Sequence, residues 1–128
     1  MVQTQSTGRR ANRWGRETAR LIADEIGAKM VSPTSNAAMF RDKRVVIKCL
    51  GPRTQYVRIT LKMLSTIKLV FAAVQLPDGS FDLRSLSVDL FRKSMHYSTS
   101  KSHTLQKVGQ VSRSIFRRHG RLVGTVRL

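Results

Sequence analysis

The sequence has very little of several residue types, and each shortage excludes a class of protein. Its one cysteine, Cys49, leaves no partner for a disulfide within the chain and excludes a cysteine-based zinc cluster. No apolar run reaches the roughly 18 residues that a transmembrane helix needs. The polar N-terminus lacks the apolar segment of a secretory signal. We therefore expect a cytoplasmic or nucleoid-associated protein in a reducing compartment.

Acidic and aromatic residues are also scarce. Seven Asp and Glu residues stand against 24 Lys and Arg, which gives a formal net charge of +17 in 128 residues. Such self-repulsion is typical of proteins that bind a polyanion, and nucleic acid is the leading candidate. The sequence shows no basic amphipathic helix with a large apolar face, so it gives no support to a membrane partner. An aromatic content of 6% disfavours base stacking as the main mode of single-strand binding.

The positive charge is concentrated towards the C-terminus, because no acid follows Asp89. Arg113, Arg117 and Arg121 recur every four residues, a spacing that predicts one basic stripe on a helix. Phosphate contacts are expected there, although an acidic protein partner is the alternative. The predicted nucleic-acid-binding residues are Arg9, Arg10, Arg13, Arg16, Lys48, Lys101, Lys107, Arg113, Arg117, Arg118 and Arg121.

The chain is long enough for one domain with a core and too short for two. Residues 1–12 are predicted to be a flexible basic arm, with Asn12 as the N-cap of a helix over residues 14–26. Residues 13–95 are predicted to form an α+β core. Residues 96–128 are predicted to be a basic C-terminal extension that contains a mobile polar loop and, after Ser112, a short helix. Thr60 and Ser87 are the predicted N-caps of two further helices.

Residues 44–49 are rich in β-branched residues and predict a strand around which the rest of the chain is organised. On a strand, alternate residues share a face, so Val45 and Ile47 are expected in the core while Lys48 points the other way. One interpretation is an edge strand with Lys48 in water. The other is a central strand with Lys48 facing a phosphate, because burying a cation is costly unless an anion meets it. Cys49 is expected to be a buried, unreactive thiol.

The order of elements over residues 13–95 resembles the restriction-endonuclease-like nucleases of the PD-(D/E)XK superfamily. The order is a helix, short strands, a strand carrying Lys48, a helix, a buried strand, its hairpin partner and a helix. The resemblance implies an α+β fold with a mixed central sheet of about five strands flanked by helices. It also implies that Lys48 matches the catalytic lysine, Glu17 the glutamate of the first helix, and that Asn36 falls near the first acid. Glu17 and Asn36 would then be the candidate ligands of a catalytic Mg²⁺.

The sequence departs from that family where the metal would bind. Val46 stands where the second acid is expected, Asn36 is a neutral ligand, and Asp42 has the character of a turn residue. We therefore interpret the protein as a DNA-binding protein, in preference to RNA-binding, on a nuclease-like scaffold without a complete metal site. The alternatives are an active Mg²⁺-dependent endonuclease with a rearranged acid set, and a basic adaptor or inhibitor that binds an acidic protein. A homodimer would suit duplex DNA.

Overall fold

The computed structural model describes residues 5–99 and 107–128, and the side chains within residues 13–98 and 107–128. None of the described helices is both long and apolar enough to cross a bilayer. The described elements are, in chain order, α1 (Gln5–Ile26), β1 (Lys29–Met30), β2 (Ala37–Phe40), β3 (Lys43–Leu50), β4 (Tyr56–Thr60), α2 (Leu61–Leu64), β5 (Leu69–Gln75), β6 (Phe81–Ser87), α3 (Val88–Ser94), β7 (His96–Thr99), β8 (Lys107–Ser112), α4 (Arg113–His119) and β9 (Arg121–Val126).

Two sheets form the centre of the molecule. The larger has six strands in the order β1-β2-β3-β5-β6-β9, and the smaller has three in the order β4-β8-β7. The pair β3 and β5 is parallel, while the other neighbours in both sheets are antiparallel. The predicted α+β class with a mixed sheet flanked by helices is confirmed, with six strands in that sheet rather than about five.

Strand β3 lies in the interior of the large sheet, between β2 and β5. The alternative of an edge strand with Lys48 in water is therefore wrong. Alternation along β3 holds as predicted, because Val45 and Ile47 are buried in one core and Val46 in another on the opposite face. The turn before β3 consists of Arg41 and Asp42, both with positive φ, at 49° and 66°. Two such residues are typical of the tight hairpin turn whose twist matches that of the strands.

Helix α1 covers one face of the large sheet. Its apolar side, with Ala19, Ile22 and Ala23 fully buried, packs in the same core as Val45 and Ile47. The helix begins at Gln5, within the stretch that was predicted to be a basic arm, and the predicted N-cap Asn12 lies inside the helix. The C-terminal turns of α1 pack on the sheet and stabilise the helix, and residues 5–12 contain no proline that would end it. Residues 1–4 lie outside the described part of the chain.

The other face of the large sheet is covered by the small sheet and by α2, α3 and α4. Three of the four predicted N-caps are confirmed: Thr60 Oγ1 accepts from the Met63 amide at 3.2 Å, Ser87 accepts from the Leu90 amide at the start of α3, and Ser112 accepts from the Ser114 amide at the start of α4. Phe91 of α3 and Phe116 of α4 meet edge to face in this second core, with ring centroids 6.3 Å apart. The helices are short, so packing of this kind contributes most of their stability.

The C-terminal third of the chain, predicted to be a basic extension, contributes strands to both sheets and residues to both cores. Strand β8 pairs with β4, and β9 pairs with β6 at the edge of the large sheet. Val111 and Phe116 are buried in the second core, and Val126 is buried in the first. The first part of the predicted polar loop forms β7, while residues 100–106 lie outside the described part. Strand β8 carries large apolar residues at 108 and 111 only, three positions apart, which is too weak a pattern to reveal such long-range pairing from sequence.

Candidate nucleic-acid interface

Lys48 lies in a cleft of about 700 Å³ between the two sheets. The floor comes from β3, whose Val46 and Lys48 point away from α1. The loop before β2 forms one wall, and the small sheet with α2 forms the other. The lining residues are Thr34, Ser35, Asn36, Val46, Lys48, Arg58, Ile59, Thr60, Met63 and Val108.

The loop that carries Asn36 is held by local hydrogen bonds. The backbone carbonyl of Asn36 accepts from the Ile47 amide at 3.0 Å, which extends the β2–β3 ladder by one bond. Ser35 Oγ accepts from the Ala37 amide at 3.0 Å and closes a short turn. These two bonds fix the backbone of residues 35–37 beside β3. Asn36 and Lys48, which the sequence assigned to one site, are therefore brought into one cleft.

The Lys48 amine is half-buried, and its burial lowers its pKa below the usual value. The neighbouring Cys49 opposes that shift only in part. Among the described side chains, no carboxylate lines the cleft to compensate the cation. Burial raises the pKa of the Cys49 thiol to about 12, in agreement with the prediction of an unreactive thiol.

Two buried side-chain atoms in the described part of the chain have no hydrogen-bond partner, and one of them belongs to a residue that lines the cleft. They are Oδ1 of Asn36 and Nε of Arg44. Arg44 is two positions from Val46 on β3 and so points to the same face as Lys48. A buried polar atom without a partner costs about 1–3 kcal/mol. Such atoms in a native structure are commonly found where a ligand or water completes the site.

Arg58 adds a second cation at the rim of the cleft. It alternates along β4 with the buried residues Val57 and Ile59, so its side chain is exposed. Its guanidinium donates to Ser98 Oγ on β7 at 3.1 Å, which orients it across the small sheet. The sequence prediction did not include Arg58, although its position between two apolar strand residues marks it as exposed.

Glu17, which was predicted to be a catalytic and metal-binding residue, is not among the residues that line this cleft. Its side chain is exposed on α1, and α1 packs on the face of the large sheet opposite to Lys48. No cation of the described side chains lies within ion-pair distance of it. Asp42, the possible substitute, is in the tight turn before β3, six residues from Lys48 along the strand. At about 3.3 Å per residue that separation is roughly 20 Å.

The residues of the cleft do not fit Mg²⁺. This ion prefers carboxylate and other hard oxygen ligands in octahedral geometry. The described lining offers hydroxyls, one carboxamide oxygen and a lysine, with Val46 at the position of the expected second acid. No group of three or more histidine, cysteine or acidic residues within the described part is placed to hold a metal ion. His96 and His119 are exposed and lie outside the cleft.

The arginines of α4 form a second cleft, of about 710 Å³, on the β5–β6 side of the same sheet face. Arg113 donates to the Pro52 carbonyl at 3.3 Å, and Arg117 is exposed beside it. Arg84 of β6 also lines this cleft, where it is paired with Asp82 at 2.8 Å. The sequence prediction missed Arg84, because its strand alternation alone does not show which loop it will meet.

Arg121 breaks the predicted stripe. It begins β9 after α4 has ended, and it lines a separate cleft of about 310 Å³ with Arg41 and Lys43. Gly120 ends the helix one residue before it. Of the other predicted contacts, Arg13, Arg16, Lys107 and Arg118 are exposed, while the side chains of Arg9, Arg10 and Lys101 lie outside the described part.

Ion pairs are few for so charged a chain. Within the described residues, two are formed, Arg84 with Asp82 and Arg127 with Asp78, the latter at 3.7 Å between exposed groups. An exposed pair of this kind contributes little stability. Most of the positive charge of the described surface is therefore left without an acidic partner.

Comparison with known proteins gives a similarity of structure. No protein-family model matches the sequence, and no curated protein matches it significantly. A 1.6 Å structure of Hjc, a Holliday junction resolvase from the archaeal hyperthermophile Archaeoglobus fulgidus, is similar over 85% of this chain and 91% of that one. The sequence identity is 11% and the TM-score is 0.46.

Proposed function

We propose that the protein binds DNA through its phosphate groups, at a surface centred on the cleft of Lys48 and Arg58, and that it does not cut the strand with a metal ion. The observation that carries the proposal is Lys48 itself. It is a half-buried cation on an interior strand, and no carboxylate of the described lining compensates it. A cation in that position costs free energy until an anion reaches it.

The anion is proposed to be a phosphate of nucleic acid because the whole chain carries a formal charge of +17. Binding of such a surface to a polyanion is favoured by the release of condensed counterions. The arginine cleft of α4, with Arg113 and Arg117, is on the same sheet face and would hold further phosphates. Contacts of this kind give affinity and salt dependence but little choice of sequence.

The absence of cutting is proposed from the donor set. Hydrolysis assisted by Mg²⁺ needs carboxylates that hold the ion, and neither Val46 nor Asn36 supplies one. A lysine alone stabilises a phosphate but does not generate a nucleophile from water. This makes DNA binding without metal-dependent cleavage the better-supported function, ahead of the active endonuclease.

The test combines binding and cleavage in the same samples. A short DNA duplex and a plasmid are incubated with the protein in Mg²⁺, in Mn²⁺ and in EDTA, beside the variants Lys48→Met and Lys62→Ala. Methionine keeps the length of Lys48 without its charge, and Lys62 is an exposed cation of α2 outside the cleft. We expect a mobility shift in all three conditions and intact plasmid throughout.

The salt dependence makes the assignment quantitative. Loss of one phosphate contact should lower the slope of log K against log [salt] by about 0.9, and Lys48→Met should show that loss. Metal-dependent cutting that Lys48→Met abolishes would refute the proposal in favour of an active nuclease. No shift at low salt would refute it in favour of a basic adaptor for an acidic protein.

The remaining expectations stay predictions. Duplex RNA in the same titration tests the preference for DNA, and sedimentation with and without duplex tests the homodimer. Location with the nucleoid would follow from DNA binding and is tested by imaging the tagged chain.

A further inference from the structure

The walls of the Lys48 cleft are apolar to a degree that phosphate binding does not explain. Ile59 and Val108 come from the small sheet, Met63 from α2, and Val46 from the floor. The cation Lys48 is inside and Arg58 is at the rim. A duplex presents its phosphates on a convex ridge and keeps its bases stacked inside. It would contact the rim of this cleft and leave Met63, the half-buried apolar residue of the lining, uncovered.

The size of the cleft also favours a ligand smaller than a DNA duplex. A volume of about 700 Å³ lies within the usual range for sites that enclose a small molecule or cofactor. Such sites combine apolar walls with a few polar groups that fix orientation. An unpaired nucleotide has both parts, a flat base for the walls and a phosphate for the cation. Enzymes that read a single base likewise take it out of the stack into a pocket.

Asn36 supplies the polar group that a base would need. Its Oδ1 has no donor within hydrogen-bond distance, although the rest of the loop is well bonded. Every unpaired base exposes at least one N–H group that pairing would otherwise occupy. The terminal torsion of asparagine is soft, so a small rotation presents Oδ1 to the cleft. A base that enters would therefore relieve an unsatisfied acceptor.

We propose that the Lys48 cleft receives a single unpaired nucleotide of DNA, whose base packs against Met63 and donates to Asn36 while its phosphate meets Lys48. The proposal rests on the proposed DNA binding and specifies its ligand. It needs no aromatic stacking, because the half-buried Met63 offers apolar surface in the cleft. DNA with a bulged, mismatched or single-stranded residue would then be preferred over a continuous duplex.

Three ligands isolate the contribution of the base. The first is a blunt duplex, the second has one unpaired nucleotide, and the third has a stable abasic residue at that same position. The second and third share the phosphates and the local flexibility, and differ only in the base. Their affinity ratio is measured for the native protein, for Asn36→Ala and for Lys62→Ala as the matched surface control. Thermal melting of each variant confirms folding.

The native protein should bind the unpaired nucleotide at least about 5-fold more tightly than the abasic ligand, and Asn36→Ala should lower that ratio about 2- to 10-fold, the range of one hydrogen bond. Lys62→Ala should weaken all three ligands and leave the ratio unchanged. A ratio of one in the native protein, with the blunt duplex still bound, would overturn this inference alone. A ratio above one that Asn36→Ala leaves intact would also overturn it. Failure to bind any of the three would instead refute DNA binding itself.

Discussion

Replacing Phe116 with alanine tests whether the C-terminal third of the chain is part of a single cooperative core. Phe116 is 1% exposed and packs edge to face on Phe91 beneath the large sheet. Truncating a buried phenylalanine costs about 3–5 kcal/mol, which combines the lost transfer free energy with the cavity left behind. A domain of this size has roughly 5–15 kcal/mol of stability in all. With a urea m-value of about 1–3 kcal/mol/M, the midpoint should fall by roughly 1–3 M.

The fluorescence of Trp14 is the natural reporter because it is the only tryptophan and lies on the opposite side of the sheet. Trp14 belongs to α1, and its ring centroid is 6.4 Å from that of Phe81, which lies in the first core, whereas Phe116 lies in the second. If the two cores unfold together, the Trp14 transition in Phe116→Ala should shift as far as the far-ultraviolet circular dichroism. Leu122→Ala, which truncates an apolar side chain 55% exposed in the same segment, should shift neither signal appreciably.

The opposite result for Phe116→Ala would be a Trp14 transition at the same urea concentration as in the native protein, with an earlier loss of the circular dichroism signal. It would refute a single cooperative core. That result would mean that residues 107–128 unfold independently of α1 and the core beneath it. Coincident shifts would instead support the strand pairing of β9 with β6 and of β8 with β4 as the link between the layers.

Three further predictions follow from individual groups. Burial lowers the pKa of Lys48 in the folded protein, so between that lowered pKa and 10.5 the unfolded chain binds more protons and the stability of the native protein rises with pH. In thermal melts, Lys48→Met should therefore be more stable than the native protein at neutral pH. This advantage should shrink as the pH approaches 10.5. Gly120→Ala should cost about 1–3 kcal/mol in urea titrations, because a Cβ there meets the carbonyl oxygens of Phe116 and Ser85, whereas Gly51→Ala, with open space around it, should be nearly neutral. Cys49, with a pKa raised to about 12, should react with iodoacetamide at pH 8 far more slowly in the folded protein than in urea, and equal rates would show that the thiol is accessible.

Local chemistry made several elements predictable from the sequence. A hydroxyl residue before a short apolar helix, as at Thr60 and Ser87, marks an N-cap because it supplies the missing acceptor. Alternation along β3 put Val45 and Ile47 in one core and Lys48 on the other side. Each of these features depends on residues within a few positions of one another, and the structure keeps all of them.

Features that depend on distant parts of the chain were not predictable in this way. The sequence places Glu17 on the first helix, but it does not show which face of the sheet that helix covers, because this depends on the topology of the whole fold. The pairing of β8 with β4 joins segments about 50 residues apart in sequence, and neither strand is long enough to signal it. The contribution of Arg58 and Arg84 to clefts likewise depends on what the folded chain brings opposite them.

The two-residue turn of Arg41 and Asp42 limits how the Lys48 cleft can change in the course of evolution. It sets the register that pairs Ala37 with Val46 and so holds Asn36 next to Ile47, one residue from Lys48. One residue more or less in the turn would slide β2 by one position, turn its side chains over and shift Asn36 away from Lys48. Surface loops usually tolerate insertions and deletions, but this one would transmit them to the far end of the hairpin. Descendant chains that keep the Asn36–Lys48 pairing are therefore expected to keep the length of this turn, whichever residues occupy it.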